Sequence, residues 1–208
     1  MSAIDLTRLA PATTALVLVD LQNDFLHPRG AYGRAGCTAP ALAALPARVA
    51  DVACAARAWG AWTVATLFTL VPGRSGEPFI APHLRALRPF LAKGDFAPGS
   101  WGQDVIDELQ PVDCKVEKIA YSAFHQSRLE FVLRKAGIAT LVFTGIVTNG
   151  GVASTLRHAH VLEFDTLLLT DGCAAFKPEV HDATVAALSA ISPVARCAEF
   201  AASIARSR

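Results

Sequence analysis

The sequence predicts an α/β fold, a three-layer α/β/α, Rossmann-like arrangement around a mainly parallel sheet, and three observations predict it. Short apolar, β-branched runs alternate with helical stretches, which is the pattern of successive βαβ units. The run Ala15-Leu-Val-Leu-Val is continuous rather than alternating, as in a strand buried on both faces. No repeat, low-complexity tract or linker interrupts the 208 residues. Residues 1–208 therefore read as a single domain, large enough to bury a substantial core.

The elements follow in order. Residues 15–20 form the first strand, and the alanine-rich stretch 40–59 is a crossover helix. Residues 62–69 read as the second strand and 114–117 as a short third. A helix over 127–136 stops at Gly137. Residues 140–145 are the fourth strand, and 149–160 the helix after it. Residues 166–170 are the fifth strand, and 178–190 a helix with proline at its start, where a missing N–H is harmless. A short strand near Val194 leads into a terminal helix. Residues 71–102 break the economy, because repeated Pro and Gly surround one helical patch at 83–91. Loops of this length serve as lids and binding loops or as surface excursions and subunit contacts.

Composition excludes several classes of function. The net charge is +1 and no Lys/Arg cluster stands out, so there is no electrostatic footprint for nucleic acid. No apolar stretch approaches the roughly 20 residues of a membrane span. Asp5 and Arg8 precede a short apolar run that ends in Asp20, the wrong shape for a signal peptide. Cysteines 37, 54, 114, 173 and 197 are odd in number and lack CxxC pairs, which points to reduced thiols in a cytoplasmic protein. Charged residues make up 18% of the chain, below the roughly 25% usual for soluble domains. Surface so sparsely charged is expected to be hidden between subunits, in a homodimer or homotetramer.

Parallel sheets place their sites at the carboxyl ends of the strands, and three segments there carry chemistry. Asp20 ends the first strand in VDLQNDF; a carboxylate behind five apolar residues is costly to bury unpaired, though it also suits capping of the next turn. Lys118 ends the third strand in EKIAYSAF, a position where lysine is often merely solvated. The turn TGIVTNGGVAST joins the fourth strand to its helix. Its paired glycines, Gly150 and Gly151, suit either an anion facing open backbone N–H groups or close packing of helix on strand.

Together, Asp20, Lys118 and the glycine turn resemble, in order and spacing, the three motif blocks of isochorismatase-like hydrolases of the cysteine hydrolase superfamily, over roughly residues 15–190. The resemblance implies a six-stranded parallel sheet of order 3-2-1-4-5-6, oligomers, and catalytic roles for Asp20 and Lys118. It further implies a cis peptide between Ile146 and Val147, aiming the Val147 N–H, with that of Gly151, into an oxyanion pocket. Asn149 and Gly150 of the same turn, and Phe25, Trp101 and Phe124 in the family's motifs, are the implied substrate-binding residues, with core packing as the alternative for the rings. Arg74 and Arg85 in the long loop offer forks for a carboxylate, or simple surface charge, and His125 lies close enough in sequence to reach the site.

The chain departs from the family at one position. The attacking cysteine falls at Gly151, which has no side chain and cannot form a covalent intermediate. Cys173, after the fifth strand, is a substitute nucleophile in principle, but a small buried cysteine is commonly structural. True isochorismatases are similar in lacking the thiol: they cleave a vinyl ether with the aspartate as general acid. The nicotinamidase Asp-x-His metal motif is absent after the second strand, and His27, His83, His125, His158, His160 and His181 show no metal spacing. We expect no metal and no cofactor. The leading expectation is hydrolysis of a small, planar or carboxylate-bearing molecule by Asp/Lys acid–base chemistry. The alternatives are a catalytically silent binding or regulatory protein on the same scaffold, and an amidohydrolase whose nucleophilic cysteine has been replaced at Gly151.

Overall fold

A computed structural model describes Leu6 and residues 9–206; Asp5 and Arg8 lie outside the described residues. Six strands, β1 (Thr14–Val19), β2 (Trp62–Phe68), β3 (Cys114–Lys118), β4 (Thr140–Ile146), β5 (Asp165–Ala174) and β6 (Val194–Ala195), form one sheet. Its order is β3-β2-β1-β4-β5-β6, and every pairing is parallel. Chain order reverses beside β1, which makes the carboxyl ends of β1 and β4 a switch point where clefts open.

Alternation along the strands builds two cores. Leu16 and Leu18 face one side, where they pack with Val49, Val52 and Ala56 and with Phe200 and Ile204. Those residues lie on α4 (Leu45–Trp59) and α9 (Cys197–Arg206). Ala15, Val17 and Val19 face the other side, against Leu133 and Leu156, from α6 (Leu129–Lys135) and α7 (Ala153–Val161). Both faces of β1 are therefore covered, which explains its unbroken apolar run. A third, aromatic-rich cluster of Tyr32, Leu70, Leu91 and Phe96 gathers Phe25, Phe68 and Phe176 around it.

The structure revises several element boundaries. The helix expected over 40–59 is broken: α3 (Pro40–Ala43) ends at Ala44, and α4 restarts with Pro46 in its first turn. Pro46 has no N–H with which to continue the preceding turn. The helix expected from Asn149 opens as a wider turn over Thr148–Val152, with Val152 N–H bonded five residues back to the Val147 carbonyl at 3.3 Å. Regular α-helix begins only at Ala153. β5 runs on to Ala174 through an irregularity: Phe143 pairs with Leu168, but Gly145 pairs with Cys173. The extra residues are tied down because the Asp171 carboxylate accepts from Cys197 N–H at 2.7 Å and its carbonyl accepts from Arg48 at 2.8 Å.

Short helices α1 (Asn23–Leu26), α2 (Ala31–Arg34) and α5 (Pro82–Leu87) decorate the carboxyl side of the sheet, with α8 (Pro178–Leu188) following β5. Gly145 lets β4 approach β1 there. Its φ is +126°, and an added Cβ would stand 2.1 Å from the Val19 carbonyl oxygen. Replacing Gly145 by Ala is expected to destabilise the fold by about 2 kcal/mol or more, read as a lowered urea midpoint; an unchanged midpoint would refute this account of the glycine.

Candidate active site

Asp20 follows β1 directly and turns out of the strand with φ of +57°, a left-handed conformation that aspartate adopts more readily than most residues. Its N–H still donates to Thr66 O at 3.1 Å. Across β2, at the end of β3, Lys118 Nζ lies 2.7 Å from Asp20 Oδ2, and both side chains are buried. A buried ion pair is tolerable only when the remaining protons also find partners. They do: Lys118 donates to the carbonyls of Ala120 at 3.0 Å and Tyr121 at 3.3 Å, and Nζ stands 5.5 Å over the Phe68 ring. The three hydrogens of the ammonium are thus matched by three acceptors. Asp20 Oδ1 accepts more weakly from Thr66 Oγ1 at 3.4 Å.

Burial is the dominant influence on Asp20 and holds its carboxyl above the ordinary carboxylate range. Lys118, Thr66 and the Phe68 backbone oppose that shift without cancelling it. A carboxyl of this kind keeps its proton to higher pH than an exposed one. With its three hydrogens engaged, Lys118 holds the Asp20 side chain in place.

Gly151 closes the other side of the carboxylate. A Cβ there would stand 2.8 Å from Asp20 Oδ2, 3.0 Å from Ile146 O and 3.2 Å from Val19 Cγ1. Any side chain at 151 would have to displace the carboxylate. The Gly151 carbonyl accepts from Thr155 Oγ1 at 2.7 Å, and the same hydroxyl accepts from Ala123 N–H at 3.0 Å. That hydroxyl ties the β4 turn to the segment after β3. The Ile146–Val147 peptide is cis.

These groups sit at the end of a cavity of about 640 Å³, lined by Asp20, Lys118, Val147 and Gly151 and by a wall that includes Phe25, Tyr32, Phe68 and Phe176. The rest of VDLQNDF braces the loops around it. Gln22 pairs with both Phe68 N–H and Phe68 O, at 2.8 and 3.0 Å, and reaches Gln103 O at 2.7 Å. Asn23 donates to Trp101 O at 2.8 Å, and the Asp24 carboxylate accepts from Ala31 and Phe96 N–H groups at 2.9 and 2.6 Å.

Of the residues expected at the site, Asp20, Lys118, Gly151, Val147 and Phe25 line the cavity, and others do not. Trp101 is 45% exposed and packs on His27 and beneath Arg29, because its loop runs over the α1 side. Phe124 is buried on the α6–α7 face of the sheet, against Phe164 and His158. Asn149 points to exposed surface, and Gly150 is buried behind Val147, whose carbonyl takes its N–H at 2.9 Å. Arg74, Arg85 and His125 are exposed and off the cavity wall. Cys173 is enclosed in the second core with Sγ 3.8 Å from Phe143 O, and burial pushes its thiol up, away from the reactive thiolate. Tyr32, Phe68, Arg88, Tyr121 and Phe176 line the cavity without having been singled out in the sequence. Among the described residues, no cluster of three His, Cys, Asp or Glu side chains could hold a metal ion, and no helix is long and apolar enough to cross a membrane.

The family follows from comparison with known proteins. The isochorismatase domain family matches residues 14–201, and the chain belongs to it as an isochorismatase-family hydrolase. The ureidoacrylate amidohydrolase RutB of Pantoea ananatis is 36% identical over 180 residues, covering 81% of this chain and 72% of its own. That of Pseudomonas syringae pv. syringae is 37% identical over 183 residues, covering 83% and 75%. The solved structure of a cysteine hydrolase from Pseudomonas syringae pv. phaseolicola superposes with a TM-score of 0.81 at 24% identity, over 96% of each chain, a likeness of fold.

Removing the ammonium isolates its role. In Lys118→Met, Asp20 loses the charge that lowers its pKa, so its carboxyl titrates at still higher pH. With the folded pKa above the unfolded one, stability is retained at low pH, where Asp20 is protonated, and lost as pH rises through that raised value. Breaking the pair is expected to cost about 3–5 kcal/mol at pH 8 and much less at pH 5, measured by urea unfolding. An equal loss at both pH values would contradict the electrostatic account.

Proposed function

We propose that the protein hydrolyses a small, planar, carboxylate-bearing molecule with Asp20 as proton donor and without a covalent enzyme intermediate. The observation that carries this reading is the buried carboxyl of Asp20, held above the ordinary carboxylate range between Lys118 and a residue with no side chain. A carboxyl that holds its proton above the ordinary carboxylate range, within reach of the cavity, can serve as a general acid. Gly151 leaves no thiol for acyl-enzyme chemistry, so water must be the nucleophile. A substrate with an ether oxygen or an amide nitrogen on a vinyl carbon suits both facts.

Asp20 delivers its proton to the far vinyl carbon, which leaves a cation stabilised by the adjacent heteroatom. Water adds to that cation, and the proton it releases returns to Asp20. The adduct then collapses to a carbonyl compound and the freed alcohol or amide. The backbone N–H groups of Val147 and Gly151 supply dipoles for oxygen charge that develops in the collapse. Lys118 keeps Asp20 aimed and stabilises its carboxylate after transfer. The flat aromatic wall suits a conjugated substrate, and ureidoacrylate, for which the relatives are named, is a conjugated carboxylate with nitrogen on its vinyl carbon.

Turnover of isochorismate, ureidoacrylate and a panel of simple amides tests the reading. The expected result is activity on a vinyl substrate that Asp20→Asn lowers at least about 100-fold. Because the acid form of Asp20 is the active one, kcat/KM should fall as pH rises through its raised pKa. Activity that survives Asp20→Asn, or a kcat/KM that rises over the same pH range, would overturn the assignment.

A further inference from the structure

The cavity has a second charged end, separated from the first by aromatic rings. From Lys118 the wall runs through Phe68, then Phe25 with ring centroids 6.1 Å apart, then Tyr32 at 4.8 Å from Phe25. Beyond it Arg88 Nε donates to the Tyr32 hydroxyl at 2.7 Å, with the guanidinium 5.8 Å from the ring centroid. Both residues line the cavity. The Tyr32 ring is held on several sides, by Phe90 at 5.0 Å, Phe176 at 5.9 Å and Phe96 at 6.2 Å. Its hydroxyl therefore has one fixed position.

The hydrogen-bond accounts of this pair do not close among the described residues. Arg88 uses Nε on Tyr32 and Nη1 on the Leu87 carbonyl at 2.9 Å, and among the described residues nothing accepts from Nη2 and no carboxylate pairs with the guanidinium. The Tyr32 oxygen accepts from Arg88, while its own proton has no acceptor among the described residues. Burial pushes the phenol above its ordinary pKa, against a smaller opposing effect of Arg88, so the proton stays on oxygen. Three guanidinium N–H bonds, two of them on Nη2, and one phenolic O–H thus have no acceptor among the described residues, at one end of an apolar cleft. That pairing of donors fits an anion with two oxygens.

We propose that Tyr32 and Arg88 form the clamp that binds the substrate carboxylate, with the conjugated body lying along the Phe25–Phe68 wall and the reacting end at Asp20. This rests on reading the cavity as the substrate pocket, and it names the residues that select charge. Tyr32 acts twice: it orients the guanidinium through Nε and donates its own proton to the ligand.

Binding of cinnamate and of its neutral amide, cinnamamide, measured by calorimetry on the intact chain, tests the clamp without requiring turnover. The unsubstituted protein should bind cinnamate at least tenfold more tightly than cinnamamide. Arg88→Met should erase that preference while leaving cinnamamide affinity within about twofold, which also reports that the pocket remains folded. Tyr32→Phe should reduce the preference severalfold. Equal binding of the two probes, or loss of both in Arg88→Met, would overturn the clamp. Because Asp20→Asn should keep the preference for the charged probe, failure of the hydrolytic reading and failure of the clamp are separable.

Discussion

The contact between Asp20 and Lys118 constrains the architecture around it. A carboxyl group and an amino group 2.7 Å apart, both out of water, need every remaining proton and lone pair provided for. Two carbonyls just past β3 complete the ammonium, a threonine on β2 touches the carboxylate, and the left-handed turn at Asp20 brings its side chain within reach. Each partner comes from the carboxyl end of a strand, so the order of the sheet is also the order in which the site is assembled. Burial and the ammonium pull the aspartate's proton affinity in opposite directions, and burial prevails.

Gly151 belongs to the same arrangement. The space a Cβ would need lies against Asp20 Oδ2 and the Ile146 carbonyl, so the absent side chain is part of how the carboxylate is packed. A site of this kind is more than a thiol hydrolase with one atom group deleted. The turn that presents Gly151 opens wider than an α-helix, and Thr155 and Ala123 tie it to the segment after β3. The β4 turn and the Lys118 segment are thereby held as one unit.

Much of this was legible in the sequence, for physical reasons that differ by element. The unbroken apolar run of β1 and the alternation of strands with helices predicted the sheet, since a strand covered on both faces leaves no other pattern. Asp20, Lys118 and the glycine turn each had an ordinary alternative when taken alone, and only their order and spacing, which resemble the three motif blocks of isochorismatase-like hydrolases, set them apart. Tyr32 and Arg88 were not, since they are 56 residues apart and meet only through the fold of the loops over the sheet. Arg74 and Arg85 carry the same chemistry in the same loop, and sequence alone cannot rank them against Arg88. Trp101 and Phe124 show the converse limit. Lying near a motif in the chain does not say which face of the sheet a ring will reach, and one packs on the surface while the other fills the opposite core.

If Asp20 acts as an acid with water as the nucleophile, no atom of the substrate becomes bonded to the protein at any stage. Acid quenching during steady-state turnover, followed by intact-mass measurement, tests this most directly. The account predicts a chain of unmodified mass throughout turnover. A substrate-derived adduct on any side chain that appears and decays with turnover would contradict it.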